Sequence, residues 1–259
     1  MAPRNYPGSF TVSSELRSEL KRGNPIIAAW LTSASPLIAE AMASCGFNAL
    51  IIDMEHGPID EVSALTIFAA AERRGCPPLV RMPSADPYLA RRLLDGGVQG
   101  LIIPCVENVA ALDDFLRHCF YPPRGCRGTG LGRGNLWGDT FESHCTTFQP
   151  LIVPMIETCR GVAMAGAIAA HDAVDALFIG PYDLSADLGA PGDFSMEAYK
   201  NALSTTMDAC RAAEKAPGIH QVAPVIDELR ERLSEGYRFL AYGTDIIAMR
   251  RALSGLEGL

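Results

Sequence analysis

The sequence predicts an α/β protein whose eight parallel strands close into a single (β/α)8 TIM barrel, and three observations carry that prediction. Eight short apolar runs recur along the 259 residues, each followed by turn residues and then by apolar positions at i, i+3, i+4 spacing. The runs are continuously hydrophobic, as parallel strands covered on both faces require. The chain length is that of eight strand–helix units. A doubly wound open sheet is the rival, but it usually has fewer strands and a Gly-rich first turn, and the first turn here reads LTSASP.

In order, the strands are PIIAAWL (25–31), NALIIDM (48–54), PPLVRM (77–82), GLIIPCV (100–106), PLIVPMI (150–156), DALFIG (175–180), PGIHQV (217–222) and FLAYG (239–243). Between them PLIAEAMASCG, DEVSALTIFAAAERRG, DPYLARRLLDGG, NVAALDDFLRHC and MEAYKNALSTTMDACRAAEK carry helical spacing, several closed by a Gly suited to a helix C-terminus. Two segments fall outside this rhythm within one domain spanning 1–259. They are an N-terminal extension at about 1–20 and an insertion at about 118–149, containing YPPRGCRGTGLGRGNLWG, which is expected to form a structured loop over the barrel mouth.

Composition excludes several classes. With 48% hydrophobic and 20% charged residues the chain is neither disordered nor collagen-like. Thirty acidic against 22 basic residues leave a net charge of −8, so no global field draws nucleic acid or anionic lipid, and neither is expected as a partner. The N-terminus lacks an apolar core of signal length and no apolar stretch is long enough to cross a bilayer, which predicts a cytoplasmic protein. Eight cysteines without a C-x-x-C pair point to reduced thiols, and the His118-Cys119 and His144-Cys145 neighbours lack zinc-ligand spacing.

In a barrel of this kind chemistry sits where strands end, so the polar residues at the strand exits are the candidates. The second strand exits into Asp53, Glu55 and His56, the third carries Arg81, the fifth ends at Glu157, and the sixth runs through Gly180-Pro181 into Asp183. The eighth offers Thr244 and Asp245. Two carboxylates such as Glu157 and Asp183, completed by waters and a chelating substrate, suit an oxygen-loving divalent cation. The alternatives are an Asp183 helix cap and a Glu157–Arg160 ion pair. Arg81 brings a planar cation suited to a carboxylate or a developing oxyanion, with an Asp53 ion pair as its structural alternative. His56, directly after two acids, is either a positioned base or a core histidine. The only lysines, Lys21, Lys200 and Lys215, lie away from strand ends, so Schiff-base chemistry is not expected and carbonyl chemistry would need a metal electrophile. No G-x-S-x-G, P-loop or Rossmann signature is present. The arm RGCRGTGLGRGN, with Arg124, Arg127 and Arg133, is either a phosphate cradle or a flexible arm.

IIDMEHGP, LVRMP, LLDGGVQGLIIPCVEN, YPPRGCRG, PMIET, FIGPYDLSADLG and AYGTD, in that order, resemble the HpcH/HpaI aldolases, metal-dependent (class II) pyruvate aldolases, over roughly residues 20–254. The resemblance implies a barrel assembled as a hexamer, a trimer of dimers. It implies reversible cleavage of 4-hydroxy-2-oxo or 2-keto-3-deoxy acids to pyruvate and an aldehyde with Mg²⁺, Mn²⁺ or Co²⁺. It places the metal ligands at Glu157 and Asp183, the enolate-binding arginine at Arg81, the base at His56, the aspartate pairing with that base across a subunit boundary at Asp95, and an acid near the metal waters at Asp53. The substrate carboxylate falls to backbone amides of the turn Gly180-Pro181-Tyr182-Asp183. Met155 and Tyr182 depart from the family's usual glutamine and small residue, and both departures fall on the substrate pocket. A CoA-thioester lyase of the malyl-CoA or citrate-lyase type, and a catalytically silent metal- or oxo-acid-binding barrel, are the other readings.

Overall fold

The computed structural model describes residues 11–255 of the chain, with side chains from Ser13 onward. Part of the expected N-terminal extension, residues 1–10, lies outside the described residues. Eight strands, β1 (Ile26–Leu31), β2 (Ala49–Asp53), β3 (Pro78–Arg81), β4 (Gly100–Ile103), β5 (Leu151–Ile156), β6 (Ala176–Ile179), β7 (Ala216–Gln221) and β8 (Phe239–Tyr242), pair in sequence order, all parallel, into a closed barrel. The fourth stops short of its expected end because Pro104 cannot donate to the ladder and Cys105 turns to a positive φ of 51°.

The helices of the outer layer are α2 (Pro36–Ala43), α3 (Glu61–Glu72), α4 (Pro87–Asp95), α5 (Val109–Arg117), α7 (Cys159–Ala169), α8 (Pro181–Asp187), α9 (Glu197–Ala212), α10 (Ile226–Glu235) and α11 (Asp245–Leu253). Six begin at a side-chain cap: Ser35, Asp60, Asp86, Asn108, Thr158 and Thr244 each accept from an amide in the first turn. Before β1, α1 (Thr11–Lys21) closes the N-terminal end of the barrel. Its Leu16 and Leu20 pack with Ile26, Ala28, Ala216 and Phe239, and Arg17 bonds Asp175 at 2.7 Å.

Because side chains alternate along a strand, one face of every strand fills the barrel interior. Ala28 and Trp30, Ala49 and Ile51, Leu79, Ile102, Val153 and Met155, Phe178, and Phe239 and Ala241 form this inner cluster. The same parity carries Asp53, Arg81 and His220 inward at the C-terminal rim, in register with their neighbours (Asp53 opposite Arg81, His220 opposite Ala241). Residues of the other parity pack beneath the helices.

The insertion is structured, with a 3-10 turn at Arg133–Gly138 and α6 at Phe141–Thr147, but it does not cover the mouth. It leaves the C-terminal end of α5 and re-enters at the start of β5, so both its ends lie at the opposite, N-terminal face. There Arg133 bonds Glu72 and the Gly96 carbonyl, Arg127 bonds Asp95, and Gly134 lies where a Cβ would stand 2.7 Å from the Leu94 carbonyl. Helices in this fold run back from mouth to base, and these are residues at helix C-terminal ends; hydrophobic spacing alone does not say to which end an insertion folds.

Candidate active site

Asp53, the last residue of β2, is 1% exposed and its carboxylate is bonded through both oxygens. Its Oδ1 takes Arg81 Nε at 2.9 Å and the amides of Glu55 and His56 at 3.1 and 3.2 Å. Its Oδ2 takes Arg81 Nη2 at 2.5 Å and Trp30 Nε1 at 3.2 Å. Burial pushes this carboxyl's pKa up, but Arg81, the His56 amide and Trp30 outweigh it and hold the group below the ordinary carboxylate value. The Asp53–Arg81 ion pair expected as the alternative therefore exists. It does not exhaust the guanidinium. Arg81 also bonds Glu55 from Nη1 at 3.0 Å and lies over the Trp30 ring at 4.8 Å. Its hydrogen bonds to Asp53 use Nε and Nη2, and Nη1 makes only the ion pair with Glu55.

The same aspartate shapes the turn that carries His56. Its bonds to the Glu55 and His56 amides fold residues 54–57 against the barrel, and Gly57 completes the turn where a Cβ would stand 2.4 Å from the Asp53 carbonyl. His56 is exposed at the rim rather than held in the core.

Glu157 follows β5 and is 3% exposed. Cys105 donates its amide to Glu157 Oε1 at 2.6 Å, from the positive-φ turn after β4. Oε2 is directed toward Gly180, where a Cβ would approach it to 2.6 Å, so a side chain at this position would push the carboxylate from its place. Burial raises the pKa of Glu157, the Cys105 bonds oppose that, and the charge of Asp183 adds to it. Asp183 is the third residue of α8 and is exposed; Gly180 is the cap, and Arg160 pairs with Glu107 at 3.2 Å. Neither structural alternative for these two carboxylates holds.

Burial raises Glu55 as well, with Glu157 and Asp53 adding to the shift and Arg81 opposing it. Glu157 and Asp183 offer hard oxygen donors, and the repulsion between buried Glu157 and exposed Asp183 is what a divalent cation relieves, so the residues fit such an ion. Among the described residues no cluster of three or more His, Cys, Asp or Glu is arranged to hold a metal.

Other sequence candidates resolve differently. Thr244 caps α11, and Asp245 ties that helix to Thr32 and Ser33, so both are structural. The arginine arm is not a phosphate cradle at the mouth: Arg124 bonds Gln149 and lies over Phe120, and Arg127 and Arg133 are engaged at the barrel base. Asp95 ends α4 at that base, with Oδ1 on Arg127, and within one chain it does not meet His56. Met155 lies in the interior beside Gly180, and Tyr182 turns its ring edge-on to Phe194 at 5.3 Å.

Trp30, Cys105 and His220 also line this rim, and sequence reasoning alone does not single them out. Counting strand parity from Ala216 through Gly218 places His220 inward, and the same count places Trp30; nothing local marks the backbone turn at Cys105.

The sequence profile described as HpcH/HpaI aldolase/citrate lyase matches residues 27–252. The hydroxypyruvate/pyruvate aldolase of Delftia acidovorans is 37% identical over 93% of this chain and 90% of that protein. The 4-hydroxy-2-oxovalerate aldolase of Rhodococcus jostii is 35% identical over 94% of each. A crystal structure of an HpcH/HpaI aldolase/citrate lyase family protein from Burkholderia cenocepacia superposes with a TM-score of 0.87 at 31% identity, covering 92% of this chain and 95% of that one.

Proposed function

Because the chain belongs to the HpcH/HpaI aldolase/citrate lyase family, we propose that it is a divalent-metal-dependent aldolase that reversibly cleaves 4-hydroxy-2-oxo or 2-keto-3-deoxy acids to pyruvate, or a related 2-oxo acid, and an aldehyde. The observation that carries the reading is Arg81, held by Asp53 through Nε and Nη2 and paired with Glu55 through Nη1, at the rim that also presents the mutually repelling carboxylates Glu157 and Asp183.

Glu157 and Asp183 hold the cation, which when bound supplies the electrophile that a lysine-free mouth lacks. Arg81 offers its guanidinium, through N–H groups not bonded to Asp53, to the negative charge that develops on the substrate's oxo oxygen as the C3–C4 bond breaks. Asp53 keeps that guanidinium in place before substrate arrives, so no reorganisation is needed during the reaction. The amides of Tyr182 and Asp183, in the first turn of α8, have no partner within the helix and receive the substrate carboxylate. Pro181 has no N–H, and Gly180 leaves the space into which Glu157 is directed.

His56 takes the proton from the C4 hydroxyl in cleavage and returns it in condensation. Its orienting partner is Asp95 of a second copy, since the chain's own Asp95 lies at the other end of the barrel, and this requires an oligomer, for which we propose the trimer-of-dimers hexamer. No described helix is long and apolar enough to cross a membrane, and we place the activity in the cytoplasm.

The test is pyruvate release from a panel of 4-hydroxy-2-oxo acids by EDTA-stripped protein before and after Mg²⁺, Mn²⁺ or Co²⁺ is added. Release restored by metal is expected. Its absence on every member, with Mn²⁺ shown to bind, would overturn the reading.

A further inference from the structure

His220 stands in the top interior layer of the barrel with its ring stacked on Trp30, centroids 4.3 Å apart and planes 23° apart. Trp30 in turn donates to Asp53 and lies beneath Arg81, and both Asp53 and Arg81 act electrostatically on the imidazole. The histidine thus belongs to the wall of the proposed aldol site, yet no step of the mechanism uses it.

Its hydrogen bonding decides what it can recognise. The Gly243 backbone favours the protonated ring, as an acceptor facing a ring N–H does. The Gly243 N–H already donates to the Gln221 carbonyl, so it is the Gly243 carbonyl that takes the ring's proton. The other nitrogen, Nε2, is buried and has no partner. Burial pushes the imidazole's pKa down to about 4, so the ring is neutral at working pH and carries one N–H. With that proton committed to Gly243, Nε2 is a lone-pair acceptor. An acceptor left unpaired in a buried site costs free energy that an apolar residue would not, and a donor on a ligand removes the cost.

We infer that His220 is a specificity-determining residue that accepts a hydrogen bond from a substrate hydroxyl other than the C4 hydroxyl of the aldol. Carboxylates and carbonyls are acceptors and gain nothing there; a hydroxyl on C3 of the oxo acid or on the aldehyde portion does. Nε2 is covered in the free chain while the residue as a whole is partly exposed, so the hydroxyl enters as side chains at the mouth adjust around substrate. The inference rests on the aldolase reading and deepens it.

The experiment measures kcat/KM for wild type, His220→Leu and His220→Gln with Mn²⁺, in two arms. One arm compares hydroxypyruvate with pyruvate as the oxo acid and a common aldehyde; the other compares glycolaldehyde with acetaldehyde and pyruvate. In wild type the hydroxylated member is favoured in one arm, and that arm shows which half of the substrate His220 meets. Leucine removes about tenfold of that preference, the size of one hydrogen bond, with the unhydroxylated member little changed, and glutamine, whose amide oxygen accepts, restores part of it. Leucine also leaves the melting temperature unchanged or raised, because it replaces an unpaired polar group. If His220→Leu lowers all substrates equally, the histidine serves structure or the common chemistry and the inference is overturned; an unchanged preference overturns it too. Should His220→Leu fail to fold, the wild-type preference and its retention in His220→Gln decide, and a wild type indifferent to the hydroxyl refutes the idea. A wild type with no turnover on any pair removes the aldolase reading itself, and this inference with it.

Discussion

Replacing Asp53 by Asn tests whether the site is organised around that carboxylate. The wild-type pair is nearly sealed, with side-chain exposures of 9% for Arg81 and 2% for Asp53, so solvent screens it little. Asparagine keeps the volume but turns one acceptor into a donor that faces either Arg81 or Trp30. Breaking a buried pair from one side costs about 3–5 kcal/mol, and the surviving Glu55 contact at 3.0 Å places this case toward the lower end. At about 2–4 °C per kcal/mol for a domain of this size, the melting temperature should fall by roughly 6–12 °C. The pH dependence has a definite sign. Asp53 titrates below its unfolded value, so its stabilisation is fully present above about pH 4 and is lost as pH falls through the folded pKa. The gap between wild type and Asp53→Asn, followed by circular dichroism melts from pH 7 downward, should therefore close in acid. A gap that stays constant from about pH 7 to about pH 3, or a melting temperature unchanged at about pH 7, would refute the argument.

Four further outcomes follow from the same geometry. Glu157→Gln keeps an acceptor for the Cys105 amide and removes a buried charge repelled by Asp183, so the metal-free melting temperature should hold or rise while the Mn²⁺-induced increase disappears in a thermal-shift assay. Gly180→Ala drives a methyl into Glu157 Oε2 and should weaken Mn²⁺ binding about 10–100-fold by calorimetry, with the fold retained by circular dichroism. His56→Ala should lower kcat by about 10²–10⁴ with little change in oxo-acid affinity, read from steady-state kinetics and pyruvate titration; wild-type turnover would exclude it as the base. Mixing inactive Asp95→Ala and His56→Ala subunits after dissociation should restore part of the activity, because some sites then pair an intact His56 with an intact Asp95; no recovery would place Asp95 in a structural role with Arg127.

Much of the site is legible in the sequence because strand parity and strand order are properties of the chain. Asp53, Arg81 and Glu157 end apolar runs, and a closed parallel barrel brings such ends to one rim whatever the side chains are. What those residues hold there is not legible. In the sequence Asp53 suits both an acid near metal waters and a partner of Arg81, and only the packed barrel shows both its oxygens committed to Arg81, Trp30 and two amides.

The sequence by itself determined eight strands, their parallel closure and the rim residues, because hydrophobic periodicity is a local signal that survives any arrangement of the loops. Tertiary structure alone decided that the arginine-rich insertion folds to the barrel base, that Asp95 is remote from His56 within one chain, and that His220 meets Trp30 with an unpaired nitrogen. Those facts depend on which surfaces meet across tens or hundreds of residues, and contact between distant segments leaves no periodicity in a single chain to be read.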